Sequence, residues 1–155
     1  MGATLTTRRR SESGATAVEF ALVMVPLIAL LFGLIQYGLY FWAMQGGSDI
    51  ARSAARLAAV GDPASCADVG AQKGFVSQVK DQIGSFGNKT GAKVTRTYTT
   101  ATPGTVAVGD TVLVQVKFKS IDMHFPFVPF IDNGWVEQSA QARVDYVPAQ
   151  PGTCS

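Results

Sequence analysis

The sequence predicts an α+β protein: one long membrane-spanning N-terminal helix, then a small head with one further helix and a three-stranded antiparallel sheet. Three observations carry this expectation. Residues 20–44 are apolar with only Gln36 strongly polar, apolar residues recur at helical spacing between Phe75 and Phe86, and beyond Asn88 the pattern changes to period two.

The first element is the most distinctive. At roughly 1.5 Å per residue, residues 20–44 make a helix nearly 40 Å long, more than the roughly 30 Å hydrocarbon core of a bilayer. Residues 1–13 are polar, carry Arg8, Arg9 and Arg10, show no hydrophobic period and are expected to be disordered. The apolar run is too long for a secretory signal peptide, and no A-x-A cleavage site closes it. Basic residues stay on the cytoplasmic side, so the arginines put the N-terminus inside and everything after about Gln45 outside. Pro26 should kink the helix modestly, and Ala29 with Gly33 form a small-xxx-small pair suited to close helix approach. Gln36, Tyr37, Tyr40, Phe41 and Trp42 are expected near the outer interface, where amphipathic rings settle.

Glu19 stands at the threshold of the apolar run. An acid near the interface costs less than the roughly 2.5–3.5 kcal/mol of mid-membrane, and in the first helical turn it suits the helix dipole. Its surroundings are more informative than its cost: the string SGATAVEF, residues 13–20, sets a Gly-Ala junction shortly before a Glu-Phe pair that opens a long apolar helix.

That string resembles the processing site of type IV pilin-like proteins, in particular the Flp pilins and TadE-like pseudopilins of the tight-adherence (Tad) pilus system. The resemblance implies that a prepilin peptidase cuts between Gly14 and Ala15, releasing residues 1–14 as a basic leader and making Glu19 and Phe20 the fifth and sixth residues of the mature chain. The new ammonium at Ala15 and the Glu19 carboxylate would then be opposite charges that neighbouring helices can pair in register. Flp pilins are little more than the helix, whereas about a hundred residues follow it here, which points to a TadE-like minor pseudopilin with a pilin-like head. The segments QYGLYFWAMQGGSDIARSAARLAAVGD and EQSAQARVDYV also resemble the extension and closing strand of TadE-like proteins. Implied partners are the prepilin peptidase, other pilins or pseudopilins, Tad assembly proteins and the bilayer of a bacterial inner membrane.

Beyond the span, Gly46 and Gly47 are expected to interrupt or bend the helix, with Ser48 and Asp49 capping a renewed one to about Val60. Arg52 and Arg56 stand at i,i+4 as a solvated basic edge, or as contacts for lipid headgroups or an acidic partner. Gly61-Asp62-Pro63 marks a turn, dividing a helical segment over 15–60 from a head over 61–155. Phe75, Val76, Val79, Ile83 and Phe86 predict a helix over 68–86, capped by Asp68 and stopped by Gly87. Strands are predicted over 92–100, 111–120 and 136–147; in the second, Val112, Val114, Val116 and Phe118 share one face.

Between the last two strands, residues 123–135 are dense in aromatics and proline. Pro126 and Pro129 exclude a regular ladder, so this is an extended loop presenting Phe125, Phe127, Phe130 and Trp135. Those rings either plug the open end of the sheet or form a patch that docks on the membrane surface or a neighbouring subunit.

Cys66 and Cys154 match no metal-ligand spacing. A disulfide closing a long loop in an oxidising compartment is the expectation, with two unlinked thiols as the alternative. His124 is the only histidine and has no cysteine or carboxylate at triad or metal-ligand spacing, and phosphate-loop motifs are absent. A net charge of +2 is too mild to suggest nucleic acid. The sequence therefore suggests a structural protein, with no enzymatic activity, cofactor, metal, nucleic acid or small-molecule substrate. The other reading is an uncleaved single-span protein whose outer domain binds an envelope partner.

Overall fold

A computed structural model describes residues 12–125, 131–147, 149 and 151–155. Helix α1 runs unbroken from Glu12 to Ala59, 48 residues, or roughly 70 Å. It continues through Pro26 and through Gly46 and Gly47, where an interruption or a bend was expected. Those glycines serve packing instead. A Cβ on Gly46 would lie 2.2 Å from the Phe86 ring, and one on Gly47 would lie 3.0 Å from that of Phe118. With no renewed helix to cap, Asp49 lies inside α1 and pairs with Arg52 at 3.6 Å.

Helix α2 spans Phe75–Ile83, shorter than the 68–86 expected. Asp68 does serve its N-terminus, but from outside the helix: its Oδ1 accepts a hydrogen bond at 2.7 Å from the N–H of Gly74, the N-cap residue. Gly74 is required there, because a Cβ would fall 2.2 Å from the Ala67 carbonyl oxygen. The helix ends at Ile83, where Gly84 and a hydrogen bond from the Phe86 N–H to the Ile83 carbonyl turn the chain.

The sheet has the order β1-β2-β3, antiparallel throughout, with β1 at Gly87–Thr99, β2 at Thr111–Ser120 and β3 at Trp135–Arg143. β1 begins earlier than the alternation suggested, because Gly87 and Asn88 pair with Ser120 and Lys119 before an irregularity that ends at Lys93. β3 ends earlier, because the chain turns toward α1: the N–H groups of Asp145 and Tyr146 donate to the Ala59 carbonyl. The Tyr98 hydroxyl likewise donates to the Ala58 carbonyl at 3.1 Å, so the orphan acceptors at the end of α1 are met by the head.

One face of the sheet is the core. Val94 of β1, Val112, Val114, Val116 and Phe118 of β2 and Val136 of β3 are buried there, as the alternation in β2 predicted. The distal half of α1 lies across it, with Ala43, Ile50, Ala51, Ala54, Ala55 and Ala58 buried, and α2 adds Phe75, Val79 and Ile83. The opposite face carries polar groups such as the Lys117–Glu137 pair at 2.9 Å.

Candidate membrane and processing segment

The proximal half of α1 is apolar and uncovered. Val18, Phe20, Leu22, Val23, Val25, Leu27, Leu30, Leu31 and Leu34 are all exposed, and its most apolar stretch contains no buried residue. Large apolar side chains on every side of a helix, with no protein against them, suit a lipid solvent. Residues 15–35 measure roughly 31 Å, close to the roughly 30 Å hydrocarbon thickness.

Gly14 and Ala15 lie in the first turns of this helix, exposed, and nothing lies within 4 Å of a Cβ placed on Gly14. Glu19 and Phe20 are exposed as well, and Ala15 and Glu19, four residues apart, share a helix face. Residues 1–11, including the three arginines, lie outside the described residues.

Gln36 is 2 % exposed, buried against the head. Its Nε2 donates to the Ile121 carbonyl at 3.4 Å, and its Oε1 accepts from the Met123 N–H at 3.2 Å. A bidentate amide thus holds the chain leaving β2 against α1. One turn nearer the N-terminus, Phe32 stacks on Phe125 with ring centroids 4.3 Å apart and planes 12° apart. Tyr40 is buried beside the head, while Phe41 and Trp42 stay exposed. Of the four residues expected in the aromatic loop, Phe125 lies on α1, Phe127 and Phe130 fall outside the described residues, and Trp135 is the first residue of β3, paired with Lys119. A shallow cleft of about 560 Å³ lies beside it, lined by Tyr40, Met44, Lys117, Trp135 and Glu137 among others.

At the far end of the head, Cys66 and Cys154 form a disulfide, with Cα atoms 5.6 Å apart. Beside it is a residue that sequence reasoning passed over. Arg96 is 0 % exposed. Its Nη1 donates to the Pro63 carbonyl at 2.8 Å, its Nη2 to those of Ala64 and Gly152, both at 2.8 Å, and its Nε to Gly152 at 3.0 Å. The guanidinium lies over the Phe75 ring, 4.5 Å from its centroid, and 5.6 Å from that of Tyr98. Burial pushes the Arg96 pKa down and that of Tyr98 up, yet a guanidinium remains protonated. The signal was present in the alternation: Arg96 is in phase with Ala92 and Val94 on the buried face. A charge at such a position has to find fixed partners.

His124 is exposed and adjoins Asp122 at 3.4 Å. Among the described residues, no group of three or more His, Cys, Asp or Glu is arranged to hold a metal ion.

The decisive likeness falls on the uncovered helix. Residues 14–56 match the family model of the TadE-like proteins. The TadE-like match begins at Gly14 and ends near the end of α1, so it spans both the lipid-suited half and the half that packs on the sheet. It does not extend to β3. No curated protein matches the chain, and no solved structure does.

Proposed function

We propose that this chain is a TadE-like minor pseudopilin, held in a bacterial inner membrane by the proximal half of α1 and used in assembling a Tad-type pilus or related secretion filament. The observation that carries this reading is the coincidence of the TadE-like match over residues 14–56 with a helix whose large apolar side chains have no protein cover. A prepilin peptidase cuts after Gly14 on the cytoplasmic face. The cut frees an ammonium at Ala15, on the same helix face as the Glu19 carboxylate. That pair sets the register of α1 against neighbouring pilin helices, while the head stands outside the membrane and meets other pilins, pseudopilins and Tad assembly proteins. Exposure of Gly14 and Ala15 supports access by the peptidase.

The mass of the mature N-terminus tests processing. A chain beginning at Ala15 is expected; an intact Met1 in cells with an active prepilin peptidase would favour the uncleaved anchored binder. Glu19→Ala tests the register pair separately, since unchanged filament assembly would refute it even with processing confirmed.

A further inference from the structure

We propose that the segment leaving β2, residues 121–125, is an interfacial foot: it enters the outer boundary of the bilayer that α1 crosses and holds the head against the lipid surface. The proposal rests on reading α1 as membrane-spanning.

Depth along α1 is the first argument. Gln36 holds the segment at Ile121 and Met123, and Phe32 holds it at Phe125. From the first contact to the second the chain therefore descends roughly 6 Å along the helix toward its N-terminus. At that level α1 is still apolar: Leu31, Leu34 and Ile35 are exposed, and no charged residue occurs between Glu19 and Asp49. The exposed aromatics Phe41 and Trp42 lie above it, where an aromatic belt would place the headgroups. A segment beside Phe32 is thus below that belt.

Its own chemistry fits the same place. Met123 is 47 % and Ile121 44 % exposed, and Ile131, where the described chain resumes, is also exposed. About half of each of these side chains is uncovered, on a segment already seated on the span. Several of its polar groups are met locally, as a low-dielectric boundary favours. The Met123 N–H and Ile121 carbonyl bond to Gln36, and the Asp122 carboxylate accepts the His124 N–H at 2.9 Å and adjoins its ring. Such a foot would sit some 5–10 Å into the headgroup and acyl boundary, like the apolar face of an interfacial helix. A second point of contact would fix the tilt of the head, which a single helix leaves free to swivel.

The test uses the full chain in nanodiscs holding one copy each, so that no neighbouring subunit can cover the segment. In a Trp42→Phe, Trp135→Phe background, single tryptophans are placed by Met123→Trp, by Leu27→Trp within the span, and by Val108→Trp on an exposed part of the head. Lipids brominated near the headgroup end of the acyl chains should remove about half of the emission at position 123, and less when bromine is near the methyl end. Position 108 should be unaffected. Quenching at 27 without quenching at 123 would overturn the foot and leave the span intact, placing the segment in water and free for a protein partner. No quenching at either site would overturn the span and the foot together. Should Met123→Trp disturb the head, Ile121→Trp in the same background is the second reporter. Its preferential quenching by shallow bromine is expected, and none would count against the foot.

Discussion

The two halves of α1 are equally helical, yet they are built for different surroundings. Before Gln36 the side chains are large and exposed on every side, among them Val18, Phe20, Leu22, Val25 and Leu27. After it the buried positions are mostly small, Ala43, Gly47, Ala51, Ala54, Ala55 and Ala58 beside Tyr40 and Ile50, against a sheet of valines. Hydropathy already falls in the distal half, which holds Asp49, Arg52 and Arg56. Side-chain size and its distribution around the axis say why, because a sheet requires close approach on one side, whereas lipid accepts bulk on all sides. Gln36 marks the change, being the first residue of α1 whose amide is bonded to the head.

If the halves are energetically separate, damage to the head should leave the span in the membrane. The largest effect is expected from Cys66→Ser combined with Cys154→Ser. The bridge joins residues 88 positions apart, and its loss should cost the head about 4 kcal/mol on the chain-entropy estimate. Urea titration in micelles, followed by tryptophan emission, would measure this, and carbonate extraction should still leave the chain in the membrane fraction. Extraction of the variant would mean that the halves form one unit.

Arg96→Met comes next. It leaves the carbonyls of Pro63, Ala64 and Gly152 without their buried donor and should cost about 3 kcal/mol. Because the same guanidinium holds the chain on both sides of the disulfide, its effect and that of the cysteine variant should be less than additive. Strict additivity in a double-mutant cycle would show that the two act independently.

The comparison is sharpest where one substitution is made in both halves. Gly46→Val drives a side chain into the Phe86 ring and should destabilise the head by about 1–3 kcal/mol despite improved helix propensity. Gly33→Val meets nothing within 4 Å and should leave head stability unchanged in the same urea titration. Equal effects at the two sites would erase the distinction.

Much of this was legible in the sequence, and the failures share a cause. Alternation in β2 gave its bounds and buried face because a one-sided sheet imposes period two on the residues themselves. Gly46 and Gly47 suggested a break because local propensity is all that a sequence displays; their reason lies forty residues away in Phe86 and farther still in Phe118. The true end of β3 was hidden for a similar reason, since it is decided by a carbonyl at the end of α1. The burial of Gln36 was hidden because its partners, Ile121 and Met123, are remote in the chain. Gly14, Ala15, Glu19 and Phe20 can be proposed as a site from the sequence because they form one contiguous string, whereas the seat of Phe125 on Phe32 was not legible there.

The smallest effect concerns the start of α2, and it belongs wholly to the head. Asp68 is held below the usual carboxylate value of 3.8, first by the hydrogen bond from the Gly74 N–H and next by that from Ser77. A depressed folded-state pKa means that the ionised group contributes stability above 3.8, and that this is lost as pH falls through the lower folded value. Asp68→Asn keeps an acceptor oxygen but removes the charge. At neutral pH the variant should unfold at slightly lower urea than the parent, and the two midpoints should converge as pH drops below 3.8. Asp81, lowered chiefly by its hydrogen bond from Lys73, titrates in both proteins and so largely cancels from the difference. A gap that stayed constant with pH would show that α2 is held by the shape of the Asp68 contact rather than by its charge, while emission from a probe in the span should not respond to this substitution at any pH.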